Sequence, residues 1–278
     1  MNISLKNKNV IITGASSGIG MEAAKLFAAE GSNLVLAARS EDKLDQLESE
    51  LINFDIKIIK LPTDVSKISD CKKLIKETVS KLGSIDIVVN NAGFSYRGNV
   101  DDVDLKTLEQ IIDVNIKAPI RLTNLALPYL KKSGSGRIIN VASILGIIPL
   151  PTEAVYSATK FAIRAFSYAL AEELAGTDTK VCLICPGPVD TPMISEEIEK
   201  IHDLVFSPPI STPLEIAELI LKSAKDGKLE RIKPFHTGLL AKIGFLIPPV
   251  SKIVEPLMIS QGKKRKKEYL NKKRSPTG

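Results

Sequence analysis

A chain of 278 residues, 44% hydrophobic and 25% charged, can bury roughly three quarters of its unfolded surface, so neither disulfides nor a metal are needed to hold it together. Three cysteines are too few for a secreted disulfide framework, and the polar stretch Met1 to Asn9 lacks a signal-peptide core, so the expected setting is the reducing cytoplasm. The net charge of +6 is local: the eight Lys and Arg of residues 263–274, less Glu268, give that stretch +7, and a nearly neutral body argues against nucleic acid as a partner.

Apolar runs of strand length alternate with segments of helical period, the pattern of βαβ units around a parallel sheet. Val10-Ile11-Ile12 leads through Thr13-Gly14-Ala15-Ser16-Ser17-Gly18-Ile19-Gly20 into a helix that stops at Gly31. Asn33 to Ala38 reads as a second strand, a helix follows from Glu41, and Ile56 to Leu61 reads as a third strand. Ile68 to Leu82 is helical, and Ile85 to Val89 is the fourth strand, followed by Asn90-Asn91-Ala92-Gly93. A long helix from Leu105 through Asn115 to Leu130 is expected to kink at Pro119. The fifth strand, Arg137 to Val141, ends at Ala142-Ser143, and a helix with Tyr156 and Lys160 on one face follows. The sixth strand, Val181 to Cys185, runs into Pro186-Gly187. Residues 190–212 suit a mobile lid. Thr212-Pro213-Leu214-Glu215 holds an N-cap, an N1 proline and an N3 glutamate, so another helix begins there.

Four groups of residues bear on chemistry. A glycine-rich turn between a strand and a helix lets backbone N–H groups face a phosphate, and Gly14, Gly18 and Gly20 supply it with Gly-x-x-x-Gly-x-Gly spacing. At the end of the second strand, Arg39-Ser40 stands where an acid would accept from a ribose 2′-hydroxyl; arginine suits a 2′-phosphate, hence NADP(H) over NAD(H). A lysine four residues from a tyrosine is expected to pull the phenol from its ordinary pKa of about 10 towards neutrality. Cys182 and Cys185 fall on opposite faces of a strand and read as buried thiols, and His202 and His236 have no partner at ligand spacing, so no metal is expected.

Together, Thr13 to Gly20, Asn90 to Gly93, Asn115, Ser143, Tyr156, Lys160 and Pro186-Gly187 stand in the order and spacing of the short-chain dehydrogenase/reductase family, and residues 8–195 resemble it. The resemblance implies a single doubly wound Rossmann-type α/β domain with a parallel sheet of about seven strands flanked by helices. It implies Tyr156 as general acid/base, Lys160 as the group that tunes it and bonds the nicotinamide ribose, Ser143 as the residue that orients the carbonyl, and Asn115 as the holder of a water in a proton relay. Gly14, Ser16, Ser17, Gly18, Ile19, Gly20, Arg39, Ser40, Asp64, Val65, Asn91, Ala92, Gly93, Pro186, Gly187, Val189 and Thr191 match cofactor-contacting positions. Hydride transfer between NADP(H) and a carbonyl or alcohol follows, in a homodimer or homotetramer. The alternative is an NADP(H)-binding sensor without turnover.

On this reading residues 1–235 form the catalytic domain, 236–262 an apolar C-terminal segment, and 263–278 a disordered basic tail. The apolar segment resembles that of family members acting on lipid-like, steroid-like or 3-oxoacyl ketones. It is too short and too broken to span a bilayer; it packs on the body or a second subunit, or lies as a peripheral element at a membrane surface.

Overall fold

The computed structural model describes residues 2–274. Seven parallel strands form one sheet in the order β3-β2-β1-β4-β5-β6-β7, with β1 at Asn9–Thr13, β2 at Asn33–Ala38, β3 at Ile58–Pro62, β4 at Ile87–Asn90, β5 at Arg137–Val141, β6 at Lys180–Pro186 and β7 at Glu230–Lys233. The strands expected at Ile56 to Leu61 and Ile85 to Val89 therefore start two residues later, as β3 and β4. Chain order reverses between β1 and β4, and a crevice opens at the carboxyl ends of those strands.

Helices cover both faces, which is why the strands read as unbroken apolar runs. On one side α1 (Gly18–Ala29), α2 (Glu41–Leu51) and α8 (Pro213–Asp226) pack Phe27, Leu47 and Ile220 against Val10, Ile12, Leu34 and Leu36. On the other, α3 (Ile68–Leu82), α5 (Ala118–Lys132) and α6 (Ala154–Glu173) pack Leu74, Leu122 and Leu170 against Ile11, Val35 and Val88. The alternation of Val10, Ile11 and Ile12 between the two cores is the period-two geometry of a strand. Cys182 and Cys185 divide in the same way: one joins the α8 side, and the other a third core beneath Ile144 and Ile163.

The start of α8 carries the full capping box between Thr212 and Glu215, and Gly227 closes the helix with φ +68°. The segment expected as one helix kinked at Pro119 is built differently. α4 (Leu105–Ile112) runs into a π-helical turn, Asp113–Lys117, and only then into α5, so the irregularity precedes the proline, which sits in the first turn of α5 and needs no N–H there.

The C-terminal part also departs from expectation. α7 (Pro192–Ser195) and two short turns fold residues 192–206 around Ile194, Ile198, Ile201 and Phe206. α9 (Phe235–Leu246) then packs on β7, and α10 (Pro248–Arg274) crosses over the 203–206 turn. The basic stretch expected as a disordered tail is thus helical through Arg274, because Tyr269 and Leu270 complete the small core of residues 192–206. Residues 275–278 of that expected tail lie outside the described residues. Among the described residues, no helix is long and apolar enough to cross a membrane.

Candidate active site

The glycine turn meets the ends of β1 and β4 with little space to spare. Gly14 and Gly18 hold φ of +66° and +53°, and a Cβ on Gly20 would stand 2.2 Å from the Gly14 carbonyl oxygen. Asn91 fastens the turn by donating from Nδ2 to the Thr13 oxygen at 3.0 Å, while the Thr13 hydroxyl accepts from the N–H groups of Asn91 and Ala92 at 3.0 and 3.1 Å. Ser17 precedes α1 in an extended conformation and makes no side-chain cap, so the first-turn N–H groups of α1 have no side-chain acceptor there. Such a helix end fits a phosphate.

Along the crevice, Arg39 is exposed at the end of β2, whereas the Ser40 hydroxyl is taken up in accepting from the Lys43 N–H at the start of α2. Asp64 accepts from the Ser66 N–H and hydroxyl at 3.1 and 2.7 Å, which fixes its carboxylate beside Val65.

At the other end, the π-helical turn carries Asn115 into the interior. Its Nδ2 donates to the Phe94 oxygen at 2.7 Å and to the Thr159 hydroxyl at 3.2 Å, and its Oδ1 accepts from the Phe94 N–H at 2.9 Å. Asn115 therefore ties the loop after β4 to the helix that bears Tyr156 and Lys160. Both of its amide hydrogens are engaged, so a water would have to meet its second Oδ1 lone pair or its backbone.

Ser143 follows β5, and its Oγ accepts from the Leu145 N–H at 3.1 Å, which leaves its own proton to point elsewhere. One turn apart on α6, Tyr156 and Lys160 come together with the ammonium 5.3 Å from the ring centroid and donating to the Val141 oxygen at 3.1 Å. Burial lowers the Lys160 pKa to about 8. Burial also pushes the Tyr156 phenol above its ordinary range; Glu153 adds to that rise, and Arg97 and Ser143 oppose it. In this geometry desolvation is the largest influence on the phenol, and it opposes the lowering expected from Lys160.

Sequence reasoning missed a buried ion-pair cluster at this end. Arg97 places Nε 3.1 Å from Glu153 Oε1 and Nη1 2.6 Å from Glu197 Oε2, with Arg97 only 6% and Glu153 only 3% exposed. The cluster joins the loop after β4, the residue before α6 and the segment after α7. No periodicity or motif marks it, since its members lie far apart in sequence.

One cavity of about 1090 Å³ collects the candidate residues. Gly14, Ser16, Ser17, Gly18, Ile19, Arg39, Asp64, Val65, Asn91, Ala92, Gly93, Ser143, Tyr156, Lys160, Pro186, Gly187, Val189 and Thr191 all line it, and Arg97 and Glu153 join them. Gly20, Ser40 and Asn115 stand behind the wall and support it. Beyond Ser143 and Tyr156 the lining turns apolar, with Leu145, Ile148, Leu150, Val205, Ile243 and Met258. Among the described residues, no group of three or more His, Cys, Asp or Glu could hold a metal ion. The uncapped α1 terminus and the glycine turn fit a dinucleotide.

Sheet order, glycine turn and a Ser-Tyr-Lys constellation on one crevice define a doubly wound nucleotide-binding α/β protein. The family model described as short chain dehydrogenase matches residues 8–202. An uncharacterized oxidoreductase of Staphylococcus epidermidis is 43% identical over 189 residues, covering 68% of this chain and 81% of that protein. Another uncharacterized oxidoreductase, from Staphylococcus aureus, is 40% identical over 187 residues, 67% and 80% of the two chains. The crystal structure of a short chain dehydrogenase/reductase from Burkholderia phymatum in complex with NAD shares the fold, with a TM-score of 0.80, 21% identity and coverage of 90% of this chain and 96% of that one. The chain belongs to the short-chain dehydrogenase family of oxidoreductases, whose fold implies a nicotinamide cofactor.

Proposed function

We propose that the protein reduces the carbonyl of a hydrophobic ketone or aldehyde to an alcohol with NADPH. The observation that carries this reading is that one cavity is lined at once by the glycine turn, by Ser143, Tyr156 and Lys160, and by apolar residues such as Leu145, Ile148 and Met258. When bound, the nicotinamide supplies the hydride.

The chain's own residues do the rest. Ser143, its lone pair engaged by the Leu145 N–H, directs its proton to the carbonyl oxygen and stabilises charge as it develops there. Tyr156, its phenol kept protonated at neutral pH by burial, donates its proton to the nascent alkoxide. Lys160 holds its Nζ against Val141 with further hydrogens free for ribose hydroxyls. Asn115 keeps α6 and the Phe94 loop in register.

Arg39 is the basis for preferring NADP(H). A guanidinium on the cavity wall at the end of β2 complements a 2′-phosphate, and no carboxylate stands at that position to accept from a ribose 2′-hydroxyl. Ile, Leu and Pro around the far half of the cavity favour a lipid-like, steroid-like or 3-oxoacyl substrate over a polar metabolite.

Steady-state rates with carbonyls of increasing chain length, each with NADPH and NADH, test both halves of the proposal. Rates should rise with chain length and favour NADPH, Arg39→Asp should reverse the cofactor preference, and Tyr156→Phe should abolish turnover while NADPH still binds. Turnover retained by Tyr156→Phe would refute the mechanism, and an unchanged cofactor ratio in Arg39→Asp would refute the assignment of NADP(H).

A further inference from the structure

The C-terminal helices are apolar on the wrong side for a protein surrounded by water. α9 turns Gly238, Ala241 and Gly244, its small residues, onto the body; a Cβ on Gly238 would stand 2.3 Å from Ile232 Cγ2. Its large residues point outward, with Leu239 50%, Leu240 62% and Leu246 77% exposed. Single exposed leucines are ordinary, but a helix that buries its glycines and exposes its leucines has an apolar partner missing.

α10 continues the pattern and adds charge. Ile253 and Leu257 are 78% and 63% exposed, and at helical spacing they share a face with Lys264 and Lys267. Lys263 and Lys264 are exposed beside them. The opposite face is held down: Tyr269 donates to Asp190 Oδ1 at 2.5 Å, Lys266 to the Ile201 oxygen at 2.7 Å, and Gly262 meets the Asp203 backbone. One outward face is thus apolar near α9 and cationic further along.

Leu240, Ile243 and Leu257 are both exposed and part of the cavity wall, so the apolar face borders the cavity. A second copy of this chain complements the face poorly, since a two-fold contact sets the lysines against themselves or against Ile253 and Leu257. An anionic bilayer matches both halves: acyl chains take the large apolar residues, and lipid phosphates take the lysines.

We propose that the outward face of α9 and α10 docks on an anionic phospholipid surface, so that the cavity opens against the bilayer and takes its apolar substrate from there. The direction of substrate entry rests on the carbonyl-reductase reading above; the docking itself does not.

Flotation of the full chain with vesicles of phosphatidylcholine, alone or mixed with phosphatidylglycerol, tests the docking without any turnover. The protein should float with the mixed vesicles and much less with phosphatidylcholine alone. Leu246→Asp/Ile253→Asp, at positions outside the cavity wall, should remain in the dense fraction. Lys263→Glu/Lys264→Glu/Lys267→Glu should lose affinity for mixed vesicles on the order of 100-fold. Unchanged melting temperatures and NADPH binding in both variants show that the fold is intact. Wild-type protein that fails to float overturns the proposal, as does flotation that survives both variants. Self-association abolished by Leu246→Asp/Ile253→Asp, without vesicle binding by the wild type, assigns the face to a second copy and overturns it equally. If docking holds while no carbonyl is turned over, only the functional reading fails.

Discussion

A Cβ placed on Gly146 would stand 2.6 Å from the backbone carbonyl oxygen of Lys160. The turn that follows Ser143 and the helix that carries Tyr156 and Lys160 therefore meet backbone to backbone, and their spacing sets the distance between the serine and tyrosine hydroxyls. Gly146→Ala must push the two apart, with an overpacking penalty of about 1–3 kcal/mol. Misplacement of the hydroxyls should lower kcat by at least roughly tenfold, and displacement of Lys160 should weaken NADPH capture as well. Thermal melting and steady-state kinetics check both effects.

Gly146 also shows where sequence reading stops. The strands, the α8 capping box and the Ser-Tyr-Lys positions were legible because they rest on local pattern: period-two apolar runs, cap residues at fixed offsets, and a motif order matching the short-chain dehydrogenase family. Gly146 lacks positive φ and lies in no motif, and its constraint comes from a helix that begins eight residues later. The Arg97 cluster was equally hidden, since Glu197 is a hundred residues away. The basic stretch misled for a related reason. Its charge pattern reads as disordered, but Tyr269 and Leu270 find an apolar partner that exists only once residues 192–206 have folded.

Lys160 should govern the alkaline limb of cofactor capture. Its pKa is lowered by burial from 10.5 to about 8, so kcat/KM for NADPH should fall as pH rises through about 8, where the amine loses its charge. The same shift affects folding. Between about 8 and 10.5 the unfolded chain holds a proton that the folded chain has released, so this group makes stability rise with pH across that window. Lys160→Met should abolish the limb, lose most turnover, and raise stability near neutral pH by about 1–2 kcal/mol by removing a buried charge. A pH–rate profile and urea unfolding at several pH values read these out.

Arg97 and Glu153 should behave as a coupled pair. Truncation in Arg97→Met leaves a carboxylate buried without its closest cation and should destabilise by about 3–5 kcal/mol, whereas Arg97→Met/Glu153→Met should recover much of the loss. Their fields on Tyr156 oppose one another, Glu153 raising and Arg97 lowering its pKa. In alcohol oxidation, where the phenolate acts as base, the acid limb should move up in Arg97→Met and down in Glu153→Gln. Shifts in the same direction would show that the pair acts through packing alone.

The three cysteines should be silent in the native protein. Burial raises Cys71 to about 11 and both Cys182 and Cys185 to about 12, so little thiolate exists at neutral pH. An aromatic disulfide reagent should label none of them while the protein is folded and all three after denaturation, with no loss of activity on native treatment.

Gly262 sets how closely α10 packs on residues 203–206. A Cβ there would stand 2.0 Å from the Asp203 carbonyl oxygen, so helix and turn touch through their backbones, and the Tyr269 bond to Asp190 holds the contact two turns further on. Gly262→Leu must lift α10 from residues 203–206 and, with it, the part of the cavity wall that includes Met258 and Gln261. The cofactor half of the cavity does not involve this contact. KM for a long apolar carbonyl should therefore rise by roughly tenfold, about 1.4 kcal/mol, while the NADPH dissociation constant stays unchanged. Tyr269→Phe, which removes one hydrogen bond and leaves the backbone contact intact, should produce a smaller change in the same direction. A short carbonyl that does not reach α10 should be reduced equally well by both variants and the wild type, which separates loss of the α10 wall from general damage to the active site.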